Sequence, residues 1–210
     1  MSSSLRLGAV DELRVRLVFS RVLEGPAHDV FLLAVRPLAS GEGIDEAPIL
    51  DLLEPVVHTR GTAEDAYVVH VNRTRHSWTG GTHQTEIAVA LSTGLATTMD
   101  PSATEVVRTT LREVLAHVAT QKGPALTHEE ATEQARLRIE EAFPDAHADL
   151  LTLTDEEHVV ADGSWSVGTR LPNGARFQAV VGFVDGDPRS SHIRRLSGGE
   201  VVDSVGTGAG

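Results

Sequence analysis

The sequence predicts an α+β protein, and three observations carry that prediction. Leu13, Val15, Leu17 and Phe19 alternate with Arg14, Arg16, Val18 and Ser20, the period-two pattern of a strand with one buried face. Val106, Val107, Leu111, Val114, Leu115 and Val118 trace one helical stripe behind Asp100-Pro101. Asp162-Gly163 and Asn173-Gly174 separate alternating runs in the last third of the chain, as hairpin turns do. The layout predicted is N-terminal antiparallel strands followed by two helices over 1–123, then a C-terminal helix packed on a three- to four-stranded antiparallel sheet over 124–197. A Gly-rich tail over 198–210, predicted to be disordered, completes it.

In chain order, a first strand is expected at Leu13 to Val22 and a second at Val30 to Val35, joined as a hairpin across Glu24-Gly25-Pro26 and closed by Pro37. Ile49 to Leu53 fits a short helix or a strand, since short apolar runs carry no decisive period, and Val56 to Thr59 reads as a further short strand. Tyr67 to Asn72 is β-branched and aromatic, hence a strand, and Arg73 to Thr82 with its paired glycines reads as a loop. Ile87, Leu91 and Leu95 recur every fourth residue, which predicts a buried helix over Thr85 to Thr97. Asp100-Pro101 then opens a second helix that stops before Lys122-Gly123-Pro124. Thr127-His128-Glu129-Glu130 is a capping box, and Ala131, Ala135, Ile139 and Ala142 share one helical face that ends before Pro144. Trp165, Val167, Thr169 and Leu171, then Phe177, Ala179, Val181 and Phe183, alternate as strands, with Trp165 and Phe177 in the core. A last strand is expected at His192 to Leu196.

Helix followed by antiparallel strands with Asp-Gly and Asn-Gly turns resembles the small PepSY-type or cystatin-like α+β layout over Thr127 to Leu196. The resemblance implies a regulatory or binding module.

Composition narrows the chemistry. A chain of 210 residues without cysteine excludes disulfides, thiolate metal sites and cysteine nucleophiles. The N-terminus lacks the order of a secretory signal and no window is apolar enough for a membrane span, so a soluble cytoplasmic protein is expected. The formal net charge of −12 argues against nucleic acid as a partner.

Several residue groups invite function. Arg73, Arg75, His76 and Trp78, with Gly80 and Gly81, form a basic and aromatic patch suited to a protein partner, because Trp and Arg are enriched at interface anchors. The same loop, ahead of a helix N-terminus, suits a small phosphate or carboxylate, although it lacks the lysine and spacing of a P-loop. His70, His76, His83 and Glu86 would suit zinc or another divalent transition metal in a small hydrolase. Asp155-Glu156-Glu157 reads as a solvated acidic turn, or else a hard-cation site. Ala88, Leu91 and Leu95 offer a face for a homo-oligomer. With no G-x-S-x-G elbow and no S-x-x-K sequence, the reading favoured is a soluble non-enzymatic interaction or regulatory module without a cofactor.

Overall fold

The computed structural model describes residues 12–20, 27–35, 44, 46–57, 68–77, 83–92, 101–118, 122–159 and 161–196. Its elements run β1 (Glu12–Ser20), β2 (Ala27–Val35), α1 (Glu46–Val57), β3 (Val68–Ser77), β4 (His83–Ser92), α2 (Pro101–Val118), α3 (His128–Ala142), β5 (Thr152–Val159), β6 (Ser164–Arg170), β7 (Arg176–Val181) and β8 (Ser190–Leu196). The α+β class holds. In place of a separate three- to four-stranded unit, all eight strands join one mixed sheet in the order β3-β4-β1-β2-β8-β7-β6-β5. The strands of the two predicted segments meet where β2 pairs antiparallel with β8, Asp29 opposite Arg194 and Phe31 opposite His192.

The β1–β2 hairpin forms as its alternation predicts, Leu17 opposite Phe31 and Val15 opposite Leu33. The segment over 85–97 is the main correction: residues 83–92 are strand β4, lying between β3 and β1 and parallel to β1. A four-residue interval is also a multiple of two, and Ile87, Val89 and Leu91 alternate as well as they recur. A central strand, hydrogen-bonded on both sides, satisfies that second period, so pairing overrides helical spacing. Among the described residues of 1–123 a single helix, α2, therefore follows the strands, while α1 precedes β3. In α1, Ile49, Leu53 and Val56 are buried at helical spacing, which settles Ile49 to Leu53 as helix and places Val56 in the last turn of that helix rather than in a strand. Residues Arg73 to Ser77, read as loop, continue β3.

The helices cover opposite faces of different halves of the sheet. On the front, α1 and α2 enclose a core built on Leu13, Val15, Leu17, Phe31, Leu33 and Ile87, reached from α2 by Val107, Leu111 and Val114. On the back, α3 lays Ala135, Ile139 and Ala142 against Val30, Leu32, Val167, Phe177, Ala179 and Ile193. Small alanines let that helix approach the strands closely. Its capping box is made: Thr127 N–H donates to Glu130 Oε2 at 2.8 Å and Glu130 N–H donates to Thr127 Oγ1 at 3.4 Å.

Tight turns join the strands of the second half. Gly174 N–H donates to Leu171 O at 2.9 Å across Pro172-Asn173, with Gly174 at φ 90. The β7–β8 connection does more than reverse the chain, because its Phe183 and Val184 enter the core under α2. There Arg108 lies 4.4 Å from the Phe183 ring centroid and its Nη1 donates to Asp162 Oδ2 at 3.0 Å. Arg112 grips Asp185 with two bonds of 2.7 and 2.9 Å, and Asp185 itself is in left-handed geometry at φ 50. Gly186 packs directly on the backbone of Asp162 and Gly163, so the two turns at this end interlock. Among the described residues no helix is long and apolar enough to cross a membrane.

Candidate binding face

On the front, α2 reaches past β2 at the end of the sheet that holds Phe183, Asp162 and Asp185; beyond that end no helix among the described residues packs on β5–β8, and cross-strand register arranges the side chains there in rows. One row runs Asp29, Arg194, Gln178, Gly168 and Asp155; the next runs Leu196, Arg176, Arg170 and Thr152; on the other side stand Phe31, His192, Val180, Ser166 and Glu157. The surface is polar over most of its width and anchored at one end by a buried ionic cluster.

That cluster sits on the β2–β8 seam. Asp29 is fully buried, and its Oδ1 accepts from His192 Nε2 at 2.7 Å and from Arg194 Nε at 2.8 Å. The His192 ring stacks on Phe31, centroids 4.2 Å apart and planes within 5°, with Phe183 edge-on at 5.4 Å. Burial pushes the His192 pKa down, which keeps the ring neutral and its Nε2–H a donor. Burial alone would raise the Asp29 pKa, but the hydrogen bonds from His192 and Arg194 and the nearby positive charge of Arg194 together hold it below the usual carboxylate range. A buried charge is tolerated because it is paired.

Further along the face lies an open cleft of 290 Å³ lined by Asp155, Gly168, Arg170, Arg176, Gln178 and Leu196 among others. Arg170 and Arg176 stand directly opposite each other across β6 and β7, both exposed, and neither forms an ion pair or hydrogen bond with a described residue. Asp155 follows a bulge in β5, accepts from Thr154 Oγ1 at 2.7 Å, and lays its carboxylate over the Cα of Gly168, where a Cβ would overlap it. Gln178 Nε2 donates to Ser166 Oγ at 3.1 Å, which orients the amide and leaves its oxygen toward other donors.

The residues singled out from sequence lie elsewhere. Arg73, Arg75 and His76 fall in β3, the last strand at the far end of the sheet, opposite Ile87, Thr85 and Gln84. Trp78, Gly80 and Gly81 lie outside the described residues, as do Leu95 and the tail over 198–210. His70 pairs with Ala90 and His83 with Ser77. Six strand residues at about 3.3 Å each put His70 roughly 20 Å from His76 along β3. By contrast Glu86, opposite Thr74, is a diagonal neighbour of His76. The register thus gathers His76, His83 and Glu86 at one end of the β3–β4 pair, with His83 at an alternate position to His76 and Glu86 in the pleat, and leaves His70 apart from them. Among the described residues there is no group of three or more His, Asp or Glu placed to hold a metal.

The acidic run Asp155-Glu156-Glu157 is strand, not turn. Its alternation splits it: Asp155 and Glu157 point to the front, whereas Glu156 is largely buried on the back, where His128 Nε2 lies 2.9 Å from Oε2 and Thr132 Oγ1 donates to it at 3.1 Å. Phe177 is core, as predicted; Trp165 is only partly buried, at the margin of the second core, between the rings of His128 and His158.

Sequence reasoning missed Asp29, His192, Arg194, Arg170 and Arg176. For the arginine pair a partial signal existed: Asn173-Gly174 marks the reversal, but counting outward from that dipeptide sets residue 170 against 177, and only the three-residue loop Pro172-Asn173-Gly174 sets Arg170 against Arg176. No such local signal ties Asp29 to residues of β8. No family model, curated protein or solved structure matches the chain.

Proposed function

We propose that the chain is a non-enzymatic interaction or regulatory module that takes a protein partner on the uncovered front of β5–β8. The observation that supports this reading is the placement of the helices: among the described residues α1 and α2 pack on the front of β1, β2 and one end of β7–β8, and α3 packs on the back, so the part of the front that carries Asp155, Gln178, Arg170 and Arg176 has no helix over it and presents its groups on β-strands rather than on loops. Rigid strands hold contact groups at fixed spacing, which lowers the ordering cost of association. The end of β3 with Arg73, Arg75, His76 and, beyond it, Trp78 is a second contact patch of the same module, carried on an edge strand.

The test is recovery of partners on the immobilised full chain. Gln178→Arg, in the middle of the front face, is expected to lose the partner, whereas Glu133→Arg on the exposed side of α3 retains it. Arg75→Ala combined with Trp78→Ala reports on the second patch, and is expected to reduce capture without lowering the melting temperature. Equal recovery by all variants would overturn the proposal. So would one transition metal per chain together with turnover of an ester, amide or phosphate, which would favour a hydrolase using His70, His76, His83 and Glu86.

A further inference from the structure

Resting on that reading of the front face, we infer that the cleft between Arg170, Arg176 and Asp155 is a site for a free amino acid, bound as its zwitterion. The chain has 30 Asp and Glu against 18 Lys and Arg, so anions to neutralise a guanidinium are plentiful. Yet two arginines face each other directly across β6 and β7 with no described carboxylate on either. Like charges opposite one another in a sheet cost stability unless an anion relieves them, and the planar guanidinium matches a carboxylate bidentately.

The opposite wall has the complementary chemistry. Thr154 holds Asp155 Oδ1 at 2.7 Å, which leaves Oδ2 as an acceptor, and Gln178, which lines the same cleft, is tied through Nε2 to Ser166. Asp155 lies one row from the arginines in the sheet register, and among the described residues no ion pair joins it to either of them. A ligand with a carboxylate at one end and an ammonium a few ångströms away satisfies both walls at once, while an inorganic anion satisfies only one. The volume of 290 Å³ admits such a molecule, and Leu196 supplies an apolar wall for its side chain. Gly168 is the residue that makes the arrangement possible, because any Cβ there would displace the Asp155 carboxylate.

The experiment is an amide-resolved NMR titration of the full chain with leucine, glycine, acetate, phosphate and butylamine, each to about 10 mM, the range in which a weak site still registers. Expected are saturable shifts at Arg170, Arg176, Gln178 and Gly168 with an amino acid, and affinity roughly tenfold lower for acetate and for butylamine, each of which meets only one wall. Arg176→Gln is expected to weaken the amino acid roughly tenfold or more without a fall in melting temperature, since removing the repulsion does not cost the fold. Asp155→Asn is expected to bring leucine down to the affinity of acetate. Absence of shifts with every probe, unchanged binding in Arg176→Gln, a large loss of stability in that variant, or phosphate binding as well as leucine would each overturn the inference. Loss of partner capture in Gln178→Arg with no probe bound would refute the amino-acid site alone; probe binding with capture unaffected would refute the partner surface alone.

Discussion

Replacing Asp29 by Ala tests whether the ionic cluster holds the two halves of the sheet together. The carboxylate is fully buried and accepts two charge-assisted bonds, of 2.7 Å from His192 and 2.8 Å from Arg194. Hydrogen bonds to a charged group contribute about 1.5–3 kcal/mol each, a gross loss of roughly 3–6 kcal/mol. Two effects reduce it. The alanine no longer carries the desolvation cost of the carboxylate, and the Arg194 side chain, 28% exposed, regains water. The His192 donor, buried between Phe31 and Phe183, regains none. The expected net loss is about 3–5 kcal/mol, the usual cost of leaving one partner of a buried pair alone. With a urea slope of about 2–3 kcal/mol/M, the unfolding midpoint moves down by roughly 1–2 M, read by far-ultraviolet circular dichroism. Asp29→Asn keeps the shape and one acceptor oxygen and is expected to fall between wild type and Ala. A midpoint within about 0.3 M of wild type for Asp29→Ala would refute the reasoning, since it would mean that the cluster stabilises nothing.

Other outcomes follow from the same geometry. Because burial lowers the folded-state pKa of His192, the unfolded chain binds the extra proton as pH falls below about 6.5, so stability is full above that value and declines toward pH 5 by at most about 1.4 kcal/mol per pH unit. Asp29, held low, adds loss only as pH falls further, through its depressed folded value. His192→Gln should flatten the decline between pH 7 and 5, and equal slopes in chemical denaturation series would contradict the assignment. Gly186→Ala places a Cβ 2.8 Å from Asp162 O and 2.9 Å from Gly163 O at φ 72, so left-handed strain of about 1–2 kcal/mol adds to a backbone clash, and a melting temperature unchanged by calorimetry would count against the interlocked turns. Thr127→Ala removes the cap of α3 and should cost about 1 kcal/mol in denaturant titration, with Thr127→Ser restoring most of it.

Much of the architecture was legible wherever a local signal decided it. The β1–β2 hairpin, α2, the capping box of α3 and the strands between Asp162-Gly163 and Asn173-Gly174 all follow from period and turn chemistry read over fewer than twenty residues. The segment around Ile87 misled because its spacing satisfies both periods, and only the presence of β1 and β3 on either side decides between them. The joining of both strand sets into one sheet was illegible for a related reason: β2 carries no mark that names β8 as its partner. Asp29 at the start of an apolar run looks like a surface residue until β8 brings Arg194 opposite it and His192 diagonally beside it. As for the site, the reversal at Asn173-Gly174 was legible, but the difference between a two- and a three-residue loop, which decides whether residue 170 meets 177 or 176, was not, and the open part of the front face depends on where the helices stop, which no single element's sequence states.

The seam between β2 and β8 also sets the order in which the protein can assemble. Asp29 and Arg194 are 165 residues apart, so the contact that joins the two sets of strands becomes available only after every other strand of the described sheet has left the ribosome. Until β8 emerges, β2 presents an open edge of Val30, Phe31, Leu32 and Leu33 with a carboxylate beside it, a strand that is both sticky and uncapped. Most strand pairs join neighbours in sequence, so the long loop closed by β2 and β8 carries the largest share of the entropic cost of completing the sheet. A nascent chain stalled before residue 190 therefore leaves the apolar edge of β2 without the strand that covers it in the folded protein.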